Sequence, residues 1–387
     1  MTLSTPLLAA APLLAGLIGP ALIGAAPARQ QADRPAVASA QAPSHTGAHP
    51  GGRTTGHTSG RAIGHPALNA AAPADIVEHV AARTAADQRR VLDYWTPERM
   101  AKALPIGLLD IVTDDGLLSG LTGGADLRTT PELTGRKADL TVPRELVGTH
   151  RMAAARPDTS TIGARWMTGG LVSRTTGRVF LTVAGADFVC SASTVRSANR
   201  DVVVTAGHCV KDGAGAWAAN WTFVPGYGTR GAHPYGQYTA RRMFVAGPWS
   251  RSGDDDYDVG MVALATSHGR HVADVVGTQE IAFDAGRGGQ AFGFGYPADP
   301  PYDGGHLVYC AGRLKDDPYG QSRDQGLGCD MTAGSSGGPW MTKFDPATGK
   351  GTIMSLSSFK YSDDRRTMYG PYFGQTIKAL YGTAQNA

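Results

Sequence analysis

From about residue 165 to the C-terminus the sequence predicts an all-β fold, built as a sandwich or as barrels. Three observations carry this. Short apolar runs rich in Val and Thr recur between turns. Glycine is abundant, at 52 of 387 residues, and falls mainly between those runs. The runs are not interleaved with helices of the kind that a parallel α/β sheet requires.

The N-terminal third reads differently. Residues 1–28 carry an uncharged apolar run ending in Ala26-Pro27-Ala28, a small-residue cleavage pattern without the usual basic start, and are expected to be a signal peptide. A membrane anchor is the rival, but Pro12, Gly16, Gly19, Pro20 and Gly24 make a poor spanning helix. Residues 29–72 are Ala, Pro, Gly, Ser, Thr and His with few large apolar groups, so they cannot offset their ordering entropy and are expected to be disordered. His45, His49, His57 and His65 offer weak metal ligands there, though composition alone explains them. Residues 73–164 are expected to form a partly helical pro-region. Asp75 with Glu78 three residues on reads as a capping box, and Ile76, Val80, Val91, Leu92 and Trp95 fit an amphipathic helix. Thr96 and Pro97 then read as a second N-cap and first helical residue.

The β-region follows in order. "GRVFLTVAGADFVCSAS" gives two runs around Ala184-Gly185, a hairpin. "DVVVTAGHC" is a buried strand running into a turn, and "DVGMVALA" is another apolar strand. "GGQAFGFGYP" and "GTIMSLSSFKYS" continue the series, and "QTIKALYG" predicts a short terminal helix.

Composition limits the function classes. The net charge is only +3, and no basic run with interleaved aromatics suggests nucleic acid. After the signal no segment is apolar and long enough to span a bilayer. The four cysteines, Cys190, Cys209, Cys310 and Cys329, suggest two disulfides in an exported chain. Three pairings are open. A metal site is the alternative, but Cys-x-x-Cys spacing and nearby paired histidines are lacking.

The stretch "CDMTAGSSGGPW" places adjacent serines among glycines that free backbone N–H groups. It is either a surface turn or the seat of a nucleophile. A serine nucleophile needs a base, and the base needs an acid that fixes its tautomer. His208, in "VVVTAGHCV", follows a buried strand and adjoins Cys209. Asp258 is the last acid before an apolar strand, while Asp254, Asp255 and Asp256 read as a solvated loop or, less well, a calcium site without EF-hand spacing.

"TAGHC", an Asp opening an apolar strand, and "GSSGGP", in that order, make the region from about 165 to 387 resemble the chymotrypsin-like serine endopeptidases. The secreted bacterial trypsin-like and glutamyl-endopeptidase-like branch is the nearest match. The resemblance implies two six-stranded antiparallel β-barrels with a cleft between them. It implies His208 as general base, Asp258 as its orienting acid, Ser336 as nucleophile, and the N–H groups of Gly334 and Ser336 as oxyanion hole. It implies the bridges Cys190–Cys209 and Cys310–Cys329. Asp330, six residues before Ser336, would lie near the base of the primary pocket and favour Arg or Lys before the scissile bond, with Ser357 and Ser358 also lining it. The histidine of glutamyl-cleaving relatives is missing from "MSLSSFKYS". Ser335 stands where animal members carry the Asp of their zymogen switch, so the pro-region is expected to act by covering the cleft or assisting folding. No cofactor or metal is implied; the partner is a protein or peptide substrate, met by a secreted monomer. An inactive peptide-binding homologue, a glutamyl-type endopeptidase and an esterase are the alternatives.

Overall fold

The computed structural model describes residues 75–106 and 160–387. The expected signal peptide, the low-complexity segment and the middle of the pro-region lie outside the described residues.

In chain order the strands are β1 (Ile76–Val80), β2 (Leu104–Pro105), β3 (Ser160–Arg165), β4 (Thr176–Val183), β5 (Ala186–Thr194), β6 (Val202–Thr205), β7 (Ala219–Pro225), β8 (Tyr238–Ala246) and β9 (Gly260–Leu264). Then follow β10 (Glu280–Ile281), β11 (Gln290–Gly295), β12 (Val308–Arg313), β13 (Lys315–Asp316), β14 (Gln325–Gly328), β15 (Pro339–Asp345), β16 (Lys350–Leu356) and β17 (Thr367–Gly370). A helix, Gln375–Gln385, closes the chain as expected.

β4 to β9 form a closed antiparallel barrel. The ladder order is β8-β7-β4-β5-β6-β9, and β8 pairs β9 to complete the ring. The β4–β5 hairpin turns at Ala184 and Gly185, both at positive φ, where a two-residue turn matches strand twist. Full closure leaves β4 buried along its whole length.

The second half departs from the expected second six-stranded barrel. Its strands divide into a six-stranded sheet, β10-β16-β15-β11-β12-β3, and a three-stranded sheet, β13-β14-β17. The reason lies at β12: β3 pairs with one edge of it, and β14 is a four-residue, glycine-containing strand that pairs β17 instead. The two sheets are joined by the Cys310–Cys329 bridge and by a buried cluster including Leu314, Leu327, Trp340 and Met368. Since β3 is a strand of this sheet, the β-module takes in residues from Ser160, ahead of the expected start at 165.

The start of the pro-region also differs from expectation. Residues 76–80 are a strand, not a helix, because β-branched Ile76, Val77 and Val80 meet the free edge of β8 in antiparallel register. The capping box sits nine residues later: Thr84 and Asp87 cap helix α1 (Ala85–Tyr94) reciprocally. Helix α2 (Pro97–Lys102) begins as expected, with Thr96 as N-cap.

Candidate active site

The turn after β6 brings the imidazole forward. Val210 and Lys211 donate to the Gly207 carbonyl, so His208 sits in a one-turn loop. The loop is fixed by the Cys190–Cys209 bridge to β5 and by Trp221 Nε1–H donating to the Cys209 carbonyl at 2.8 Å. Gly207 is required there, since a Cβ would lie 2.9 Å from Asp258 Oδ1 and from Trp249 Nε1.

Asp258 is fully buried ahead of β9. One oxygen accepts the His208 backbone N–H at 2.8 Å, and the other lies 2.8 Å from His208 Nδ1. An acceptor at Nδ1 fixes the tautomer that leaves Nε2 free to take a proton. Ser358 donates its hydroxyl to the same carboxylate. Ser336 lies close by. Its carbonyl accepts from Ser191 N–H, next to Cys190, and the Cβ of any residue replacing Gly337 would meet Thr205 Oγ1, Ser191 O and Ala206 N within 2.6 Å. Two buried atoms in this region lack any protein partner: His208 Nε2 and Ser336 Oγ.

Gly334 takes φ +91°. Its N–H donates to the carbonyl of Ile106, a residue of the N-terminal segment, at 3.3 Å, so this donor faces away from its own loop towards that segment's backbone oxygen. Ser335 is turned inward, its hydroxyl donating to the Thr332 carbonyl at 2.7 Å.

Of the two hydroxyls expected to line the pocket, Ser357 Oγ accepts from Trp340 Nε1–H in the core, and Ser358 Oγ donates to Asp258. Asp330 is half-buried and held: Oδ1 accepts from Gly163 N–H at 2.6 Å and from Tyr302 hydroxyl at 2.7 Å. A buried ammonium shares its surroundings. Lys360 Nζ donates to the Cys329 and Arg365 carbonyls, and burial brings its pKa down to about 8, with Asp330 partly opposing. Sequence reasoning missed Ser191, Tyr302 and Lys360; each acts across the fold, and no local pattern marks them.

The acidic run before Asp258 leads into a 3₁₀ turn, Asp255–Tyr257, and Asp254 and Asp256 have partners within the protein. Asp254 caps Asp256 N–H, and Asp256 accepts from Arg323. Burial, then Asp258 and Asp254, push the Asp255 carboxyl up to about 7. Asp324, fully buried beside these acids, is driven well above the carboxylate range by the same burial.

Among the described residues, one group of three potential metal donors lies within 4.8 Å: Cys190, His208 and Cys209. The two sulfurs are bonded to each other, which removes them as thiolate ligands.

The trypsin family model matches residues 168–373. The crystal structure of the protease Anisep from Arthrobacter nicotinovorans is 39% identical, covering 58% of this chain and 99% of that one, with a TM-score of 0.54. A thermostable serine protease from an extremophilic microorganism is 38% identical over 56% of this chain and 99% of its own, with a TM-score of 0.53. Two curated relatives match over shorter stretches. An extracellular metalloprotease of Bacillus subtilis (strain 168) is 38% identical over 74 residues, 19% of this chain and 23% of that protein. A glutamyl endopeptidase of Bacillus licheniformis is 40% identical over 72 residues, 18% of this chain and 22% of that protein. The chain thus spans less than a quarter of the length of either curated relative. Among the described residues no helix is long and apolar enough to cross a membrane.

Proposed function

The chain belongs to the trypsin family, and from that premise we propose that it is a secreted serine endopeptidase that cleaves peptide bonds through Ser336, His208 and Asp258. The observation that carries the reading is the pair of partnerless buried atoms, His208 Nε2 and Ser336 Oγ, beside an imidazole whose Nδ1 is held by Asp258. His208 takes the Ser336 proton as the oxygen attacks the substrate carbonyl. The N–H groups of Gly334 and Ser336 stabilise the developing oxyanion, a contribution of about 3 kcal/mol per donor. His208 then protonates the leaving amine, and water, activated by the same imidazole, releases the acyl group from Ser336. Asp258 holds the ring and stabilises the imidazolium; Ser358 holds Asp258.

For the residue before the scissile bond, Asp330 supports Arg or Lys, because Tyr302 and Gly163 fix its carboxylate while engaging one oxygen. A second reading, an acidic residue at that position, is favoured by the buried Lys360 ammonium and by the similarity to a glutamyl endopeptidase.

The test is covalent labelling of the secreted protein with a phosphonofluoridate, followed by peptide mass mapping. The reading expects stoichiometric loss of peptidase activity and the adduct on Ser336. Full activity with no adduct, or an adduct on Ser335, would contradict it.

A further inference from the structure

The N-terminal segment is built into the protease barrel. β1 adds an edge strand to β8 over five residue pairs, from Ile76 opposite Ala246 to Val80 opposite Arg242. Glu78 pairs with Arg242, and Asp75 with Arg251. Trp95 is 3% exposed, packs on Phe180 and donates its indole N–H to the Asn220 carbonyl. Tyr94 and Arg99 both reach Asp187 at the start of β5. A segment held at so many independent points is seated, not merely tethered.

Its far end lies at the nucleophile. Leu104 and Pro105 run parallel to Phe188 and Val189 of β5. Ile106, 2% exposed, donates its N–H to the Val189 carbonyl and accepts the Gly334 N–H on its own carbonyl, both at 3.3 Å. The proposed oxyanion donor is therefore already satisfied. Direction matters here. On the reading above, residues before a scissile bond lie towards Asp330; on that side Ser357, just past β16, flanks the nucleophile by accepting the Gly337 N–H. The residues before Ile106 lie instead on β5, which flanks it through Ser191.

We propose that residues 75–106 are a built-in inhibitor that occupies the cleft with polarity opposite to a substrate, and that they remain bound as a separate peptide once the chain is cut beyond residue 106. The reversed course offers a carbonyl to Gly334 while placing the upstream chain on the leaving-group side, so the segment blocks the cleft without being consumed. The main holding contacts, β1 and Trp95, do not depend on continuity with the catalytic module. The proposal rests on the serine-peptidase reading.

The experiment uses the full chain carrying a recognition sequence for an unrelated protease at residue 130. The rate of Ser336 labelling by a phosphonofluoridate is measured before cutting, after cutting, and after the fragment is stripped in mild urea. The uncut chain and the cut, unstripped complex should both label at least tenfold more slowly than the stripped protein. The fragment should co-elute with the catalytic part on native gel filtration, and its mass should show no new end at Ile106. In the uncut chain Ile106→Asp, which puts a charge at a buried position, should raise the labelling rate at least tenfold. Separate elution, full labelling with the fragment still bound, or cleavage after Ile106 would overturn the proposal. Should Ile106→Asp not fold, the wild-type comparison decides alone. Absence of labelling in every form, the stripped one included, would instead refute the serine-peptidase reading.

Discussion

Ser358 donates its hydroxyl to Asp258, the buried carboxylate that also accepts from His208 through both its backbone N–H and its ring. The first prediction follows from this contact. Ser358→Ala removes a hydrogen bond to a charged group, a loss of about 1.5–3 kcal/mol. It should lower kcat/KM by roughly 10- to 100-fold, mostly through kcat, without shifting the substrate preference. A rise in KM alone would return Ser358 to the substrate-contacting role expected from sequence.

The bridge beside His208 closes a loop with a sequence separation of 19 residues. Replacing Cys190 and Cys209 together by Ala should destabilise by about 3 kcal/mol, which for a domain of this size lowers Tm by roughly 6–12 °C. Calorimetry checks the first, and activity at a temperature where the variant stays folded checks whether the loop still presents His208. An unchanged Tm would mean that the loop is held without the bridge, by hydrogen bonds such as those of Trp221 and Trp249 to the Cys209 and Lys211 carbonyls.

What was legible in the sequence was what local sterics dictate. Gly207 and Gly337 stand where a Cβ would collide with Asp258 or with Thr205 and Ser191, so "TAGHC" and "GSSGGP" carry their geometry in their spelling. Within the first barrel β4, β5, β6 and β9 were legible as short apolar runs bounded by turns, whereas β7 and β8 were not singled out. What was not legible depends on partners far along the chain. Asp75 and Glu78 satisfy the spacing of a capping box, yet the edge of β8 draws Ile76–Val80 into a strand and the box forms at Thr84–Asp87. Ser357 and Ser358 look alike in sequence, and only the packing of Trp340 and Asp258 assigns their hydroxyls. The Ile106 carbonyl at Gly334 has no sequence signal at all.

Specificity separates Asp330 from Lys360. On matched substrates with Arg, Ala or Glu before the scissile bond, Asp330→Ser should lower Arg cleavage at least tenfold relative to Ala cleavage. Lys360→Met should leave that order intact or sharpen it by removing a competing cation. Preferential loss of Glu cleavage in Lys360→Met would favour the acidic reading. Equal loss on all three substrates would make either residue a support of the fold.

Asp255 predicts a pH dependence of stability. Its carboxyl is raised to about 7 in the folded protein against roughly 4 in an unfolded chain. Between those values the folded state holds the extra proton, so stability falls as pH rises from about 4 to 7. Asp255→Asn should therefore have a higher Tm than wild type at pH 7.5 and an equal one at pH 4. A difference of the same size at both pH values would assign the effect to packing.

The central claim is that Ser336, and not its neighbour, attacks the substrate. The most direct measurement is the hydrolysis rate of Ser336→Ala and Ser335→Ala, each stripped of residues 75–106 and checked for wild-type thermal unfolding. The account predicts a loss of about 10⁴-fold or more for Ser336→Ala and retention of most activity in Ser335→Ala, whose hydroxyl is turned inward to the Thr332 carbonyl. An active Ser336→Ala protein beside an inactive Ser335→Ala protein would contradict it.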